Sequence, residues 1–176
     1  MSYARAVQTT QTTVNRAYPS WIQGRILHLI DVENIVGRSD FSTAEAAVAR
    51  ASYETVAPTG TVDQLIVATS HHTAPATWRA WPANVRRLLR SGPNGADLAI
   101  LEVIEREAVA SRFDHVVIGS GDGIFAEAAA VLQQRGSGIT VVTRRLALSR
   151  KLAFAVRDVR FVDLAKPGLE VTLKVA

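Results

Sequence analysis

Residues 26–31 read ILHLID, a nearly uninterrupted apolar run that ends in an aspartate. Such a run is typical of a strand that is covered on both faces, which is the usual position of a strand in a parallel sheet. Further candidate strands follow along the chain at 65–69, 116–119, 139–143 and 159–162, with a weaker candidate at 85–89. The run at 26–31 therefore predicts a buried central strand.

Helical patterns separate these runs. Ser42 and Glu45 have the S-x-x-E spacing of a capping box and open an Ala-rich helix that extends to about residue 55. Three more helices are expected, one from about residue 97, one after residue 122 that stops at Gly136, and one over 149–156. Because parallel neighbours need crossover connections, the alternation predicts an α/β fold, a three-layer αβα sandwich around a mainly parallel sheet.

Length and composition narrow the classes of protein. A chain of 176 residues with 48% hydrophobic and 20% charged residues is expected to form one globular domain. The chain has no cysteine, which excludes disulfides, thiolate zinc sites and cysteine nucleophiles. The net charge is +4, and all but three of the 20 basic residues are arginine. This excess favours a nucleic-acid partner, although an Arg- and Ala-rich composition is also compatible with genome bias.

The two ends of the chain differ from its middle. Residues 1–24 are polar, rich in Thr and Gln and free of acidic residues, which is typical of a disordered arm or an oligomerisation strap. Residues 25–163 carry the predicted domain, and residues 164–176 alternate in a way that could add an edge strand or pair with a second subunit in a homodimer. No run approaches the length of a membrane span and no secretory signal is recognisable, so we expect a soluble cytoplasmic protein.

Three aspartates fall where an open parallel sheet binds its ligands. Asp31 ends the first strand, Asp97 opens a helix, and Asp122 follows the fourth strand. Ligands of such sheets lie beyond the carboxyl ends of the strands, so neighbouring first and fourth strands would bring Asp31 and Asp122 together. Each aspartate taken alone could equally be a helix cap.

A cluster of carboxylates requires a cation. Two carboxylates about 4 Å apart repel by roughly 4 kcal/mol at an effective dielectric constant of 20. Oxygen ligands without thiolates or clustered imidazoles select hard ions, which indicates Mg²⁺ or Mn²⁺. Such an ion supports hydrolysis of phosphodiesters, because it activates water and stabilises charge on the leaving oxygen.

Three motifs carry a resemblance to a known family. The sequence reads DVEN at 31–34, GAD at 95–97 and IGSGDGIF at 118–125. These motifs resemble the NYN domain family, the LabA-like branch of the PIN-like nucleases, over about residues 25–163. The resemblance implies a PIN-like sheet of order 3-2-1-4-5 and a metal-dependent endoribonuclease. It also implies metal-binding roles for Asp31, Asp97 and Asp122, with Asn34 ordering a loop or the substrate and Ser120 lining the pocket.

The chain departs from the family pattern at two positions. The fourth acid of the family motif is replaced by Ile124, and the basic residue that commonly precedes the G-x-D glycine is replaced by Asn94. Glu33 occupies an acidic position of the family but could point away from the site. With one acid fewer, the site is expected to hold one ion. The alternative is a weak or inactive NYN-like domain that binds RNA or a protein partner.

Basic and aromatic residues near the predicted crevice are candidates for RNA contacts. Four basic residues follow the fifth strand and two histidines follow the second, namely Arg144, Arg145, Arg150, Lys151, His71 and His72. A solvated basic helix face and ordinary loop histidines are the alternatives. Trp78 and Trp81 could stack on bases or, beside two prolines, pack over the sheet. His28, inside the first strand, is expected to be a core histidine.

Two other enzyme classes fit less well. A haloacid-dehalogenase-type phosphohydrolase needs an aspartate two residues after its nucleophile, whereas this chain has Glu33, and no lysine lies between Asp31 and Gly121. A dinucleotide-binding fold needs a G-x-G-x-x-G turn after the first strand, which is missing.

Overall fold

The computed structural model describes residues 24–165, which form a six-stranded sheet with helices on both faces. All neighbouring strands are parallel, in the order β3-β2-β1-β4-β5-β6. The strands are β1 (Ile26–Asp31), β2 (Gln64–Thr69), β3 (Arg86–Leu89), β4 (His115–Gly119), β5 (Gly138–Arg144) and β6 (Asp158–Val162). The predicted α/β sandwich and the predicted strand order are confirmed, and β6 extends that order at one edge.

The helices connect successive strands. They are α1 (Val32–Val36), α2 (Thr43–Val56), α3 (Ala74–Ala80), α4 (Gly95–Arg106), α5 (Val109–Arg112), α6 (Ala126–Gln134) and α7 (Arg150–Ala155). Single 3₁₀ turns at Gly123–Phe125 and Arg145–Ala147 precede α6 and α7. The capping box forms as predicted, because the Ser42 side chain accepts from the Glu45 N–H and the Glu45 carboxylate accepts from the Ser42 N–H.

Both faces of the sheet are buried, as the apolar run at 26–31 predicts. Leu27 and Leu29 belong to the core that α4 and α6 cover, whereas Ile26 and Ile30 belong to the core that α1 and α2 cover. Successive side chains of a strand point to opposite faces, so β1 contributes to both layers. His28 is fully buried and its Nδ1 lies 2.8 Å from the Tyr53 hydroxyl, which confirms a core histidine.

Two further predictions concern regions at the ends of the chain. Residues 1–23 of the N-terminal arm and 166–176 of the C-terminal tail lie outside the described residues. Leu164 packs against the core on the α2 side. Between residues 24 and 165, no helix is both long enough and apolar enough to cross a membrane.

Candidate active site

The register of β1 against β4 determines where the site lies. Ile30 pairs with Gly119 and Asp31 pairs with Ala68 of β2, so the chain leaves β1 and β4 at the same edge of the sheet. Asp31 therefore emerges beside the loop that begins at Ser120. The first turn of α4 brings Asp97 to the same edge.

The start of α1 joins the two strand ends. Asp31 is the N-cap of this helix, and its Oδ1 accepts a hydrogen bond from the Asn34 N–H at 3.2 Å. The Asn34 Oδ1 accepts from the Gly121 N–H at 2.9 Å, across the gap between β1 and β4. The Arg144 Nε donates to the Asn34 carbonyl at 3.1 Å. Asn34 thus holds the loop after β4 against the loop after β1.

The loop from Ser120 to Asp122 is itself rigidly held. The Ser120 side chain is fully buried and its Oγ accepts from the Asp122 N–H at 3.2 Å. A Cβ on Gly121 would lie 2.4 Å from the Ala147 carbonyl oxygen, so only glycine fits there. The Asp122 Oδ1 accepts from the Ile124 N–H at 3.0 Å and caps the 3₁₀ turn. Asp122 keeps a partly exposed carboxylate at the edge of the site.

Asp31 and Asp97 form a buried carboxyl pair. Burial raises the pKa of Asp31 well above its ordinary value of 3.8, and the negative charge of Asp97 raises it further. Burial also raises the pKa of Asp97, and the charges of Asp122 and Glu33 act in the same direction. The two carboxyls can hydrogen-bond to each other only when one of them retains a proton. The pair is therefore unfavourable when both groups are ionised, unless a cation joins them.

The surroundings offer these carboxylates no protein cation. Across residues 24–165, neither Arg nor Lys forms an ion pair with Asp31, Asp97 or Asp122. Asp97 Oδ1 is buried and has no hydrogen-bond partner in the described part of the chain. A buried polar atom of this kind is costly unless a proton or a metal ion satisfies it. The all-oxygen donor set fits a hard divalent ion.

The site is not a fully assembled metal centre. In the described range, no three carboxylate or imidazole side chains are grouped so that they could hold a metal ion. Asp31 and Asp97 each alter the pKa of the other, whereas Asp122 is a nearby charge that raises the pKa of Asp97. An ion bound by Asp31 and Asp97 would take its remaining ligands from water and substrate, or from the Asp122 carboxylate after that side chain moved towards the pair.

The Glu33 carboxylate is bound by the loop that follows β2. Its Oε1 accepts from the Ser70 N–H at 3.0 Å and from the Thr73 hydroxyl at 2.6 Å. These bonds tie α1 to the loop between β2 and α3. Glu33 therefore has a structural role, and its negative charge also raises the pKa of Asp31 and Asp97.

The four basic residues predicted to follow the fifth strand occupy two different environments, and Arg144 is the last residue of β5. Arg144 is half-buried and its guanidinium packs against the end of α1, where it bonds the Asn34 carbonyl. Arg145 is exposed, with its guanidinium carbon 4.3 Å from the centre of the Phe161 ring. Arg150 and Lys151 are exposed on α7. These three exposed cations are available to a ligand, whereas Arg144 serves mainly to hold the loops together.

The two predicted histidines follow β2, whereas the basic residues follow β5. The acidic residues at the ends of β1 and β4 therefore lie between the two groups. His71 bonds Ser91 through its Nδ1 at 2.8 Å, which links the loops after these strands. His72 is exposed, with its Nε2 3.8 Å from an Asp40 carboxylate oxygen. Trp81 is buried beside Tyr53. Of the two alternatives for this residue, base stacking and packing over the sheet, the structure shows packing.

Sequence reasoning missed two exposed apolar side chains near the basic residues. Leu146 is 97% exposed and Phe154 is 90% exposed. A signal was present for Phe154, because it lies two positions after Leu152 and residues so spaced do not share a helix face. Leu152 is fully buried, which leaves Phe154 in solvent.

Comparison with solved structures supports the fold. The chain is similar to a crystal structure of a protein of unknown function from Vibrio parahaemolyticus, with a TM-score of 0.57 and 21% sequence identity. The similarity covers 82% of this chain and 96% of that one. No protein-family model and no curated protein matches this sequence. The chain thus shares its α/β sandwich with the Vibrio parahaemolyticus protein, and this likeness extends to the fold alone.

Proposed function

We propose that the chain is a metal-dependent endoribonuclease of the NYN type, which hydrolyses RNA at the site formed by Asp31, Asp97 and Asp122. The observation that carries this proposal is the buried Asp31–Asp97 pair, with one oxygen that no described donor satisfies. One Mg²⁺ or Mn²⁺ would fit this oxygen donor set. When bound, the ion would activate water and stabilise charge on the leaving oxygen.

The side chains of the site would have separate tasks. Asp31 and Asp97 would hold the ion, whose positive charge would offset the burial and mutual repulsion that raise the pKa of each carboxyl. Asn34 and Ser120 would keep the Gly121 loop in place, so that Asp122 faces the reacting phosphate. The exposed cations on the α7 side would bind neighbouring phosphates of the RNA.

Cleavage of an internally labelled single-stranded RNA in Mn²⁺ or Mg²⁺ tests the proposal. We expect internal cuts that EDTA abolishes and that Asp122→Asn and Asp97→Asn each reduce at least 100-fold. Glu105→Gln is a matched control, because Glu105 is an exposed acid on the same helix as Asp97. Equal cleavage by the wild type and Asp122→Asn, or equal loss in Glu105→Gln, would contradict an active site at these aspartates.

A second candidate function is a non-catalytic domain that binds RNA or a protein. Two observations favour it, namely the apolar Ile124 at the family's fourth acidic position and the lack of a ready three-residue metal group in residues 24–165. Ile124 packs against the core, so an apolar side chain stands where the family has a carboxylate. Titration with Mn²⁺ separates the two functions, because only the nuclease requires binding that depends on Asp31 and Asp97.

A further inference from the structure

The exposed face of α7 combines two cations with a bare aromatic ring. Arg150 and Lys151 lie four and three residues before Phe154, a spacing that places all three side chains on one side of a helix. Phe154 is 90% exposed, while Leu152 fills the core on the opposite side. The fold therefore gains no packing from the Phe154 ring. We call Arg150, Lys151 and Phe154 the α7 face.

The α7 face adjoins the loop that carries Asp122. The Ser149 N–H donates to the Gly121 carbonyl at 2.9 Å, which fixes the start of α7 against this loop. A Cβ on Gly123 would lie 3.6 Å from the Lys151 Cβ. A chain bound along the α7 face would thus lead directly to the acidic residues.

The charge of this face is not neutralised by the fold. No carboxylate among residues 24–165 forms an ion pair with Arg150 or Lys151. Cations beside an exposed aromatic ring are the combination that binds unpaired nucleotides, because phosphates pair with the cations and a base stacks on the ring. A base inside a duplex is already stacked and cannot reach such a ring.

We propose that Phe154 stacks on an unpaired base of the substrate, with Arg150 and Lys151 on adjacent phosphates, and so makes the site specific for single-stranded RNA. This inference rests on the proposed function, since it names the form of RNA that the acidic site would receive. It assigns Phe154 a positioning role rather than a role in the chemistry.

Fluorescence anisotropy with a labelled 12-nucleotide single strand tests this role. Measurements in EDTA with the full chain prevent metal-dependent cleavage of the probe. We expect Phe154→Ala to weaken binding about 5- to 100-fold, and Phe154→Trp to bind at least as tightly as the wild type, as base–aromatic stacking requires. Val62→Ala is the matched control, because Val62 is a 67% exposed apolar residue just before β2, at the opposite edge of the sheet, and should leave binding unchanged.

Two further probes isolate the stacking contact. An oligomer with the same phosphates but abasic sugars should bind the wild type and Phe154→Ala equally, and so should a duplex of the same sequence. Equal affinity of the two proteins for the single strand, or an equal loss on the abasic oligomer, would overturn the inference. So would a dimer in sedimentation that Phe154→Ala abolishes while RNA binding is unchanged, since a second copy would then cover the face.

Failure of this inference is distinguishable from failure of the proposed function. Binding in EDTA does not require an active site, so stacking on Phe154 can be observed even when no cleavage occurs. Conversely, metal-dependent cleavage with no effect of Phe154→Ala on single-strand affinity would overturn the stacking role and leave the nuclease intact.

Discussion

Replacement of Asp31 by asparagine should stabilise the protein in the absence of metal. The new side chain is almost the same size, its Oδ1 can still accept from the Asn34 N–H, and its Nδ2 can donate to Asp97. The substitution therefore keeps the hydrogen bonds of the pair and removes a buried charge.

The size of the effect follows from the burial of the pair. Asp31 and Asp97 are only 4% and 6% exposed, so solvent screens their repulsion weakly. Two carboxylates about 4 Å apart would repel by roughly 4 kcal/mol at an effective dielectric constant of 20, which is an upper limit because a retained proton relieves it. We expect Asp31→Asn to raise the free energy of unfolding by about 1–2 kcal/mol, and the melting temperature by about 2–8 °C.

The gain should depend on pH in a defined direction. The folded pKa of Asp31 lies above its ordinary value of 3.8, so between these values the folded protein binds more protons than the unfolded chain. The free energy of unfolding of the wild type therefore falls as pH rises through that window. Asp31→Asn lacks this loss at residue 31, so its advantage should be absent below about pH 4 and should grow towards neutral pH.

Thermal and urea unfolding at pH 4 to 8, with EDTA and with Mn²⁺, measure these effects. Mn²⁺ at 100 times its dissociation constant should stabilise the wild type by about 2.7 kcal/mol and Asp31→Asn much less. Asp40→Asn is the matched control, because the Asp40 side chain is 93% exposed and its loss should change little. Destabilisation by Asp31→Asn, or a gain that does not vary with pH, would refute the carboxyl pair as described.

Other parts of the site give further predictions. Asn34→Ala removes the acceptor of the buried Gly121 N–H and should lower the free energy of unfolding by about 1–3 kcal/mol in urea unfolding, with a loss of cleavage; unchanged stability would contradict this. Gly121→Ala places a Cβ 2.4 Å from the Ala147 carbonyl oxygen. This single substitution should lower the free energy of unfolding by about 1–3 kcal/mol, also measured by urea unfolding. Lys151→Ala should reduce the slope of log affinity for single-stranded RNA against log salt by about one, whereas Arg157→Ala, an exposed control two residues beyond α7, should reduce it less.

The middle of the sheet could be predicted because its central strands are buried on both faces. All six residues of β1 are buried, and His28 is the one polar side chain in the run before Asp31. The helix α3 was harder to predict, because Pro75 and Pro82 suggest a turn. Pro75 lies in the first turn of α3, where a proline costs no helical hydrogen bond.

The site could be predicted as a set of positions but not as a set of contacts. Strand order alone brings Asp31 beside the Ser120 loop. The alternating pattern predicts a parallel sheet, and the order of its strands is what the family resemblance implies. The orientation of Glu33 depends on Thr73, 40 residues later, and no local pattern encodes that contact. The engagement of Arg144 with the Asn34 carbonyl likewise depends on how α1 packs beside β5.

A crystal grown with Mn²⁺ and examined by anomalous diffraction tests the central proposal most directly. We expect one anomalous peak within coordination distance of carboxylate oxygens of Asp31 and Asp97, with Asp122 facing it. Well-ordered crystals in millimolar Mn²⁺ that show no peak at these carboxylates, or a peak only at other side chains, would contradict it.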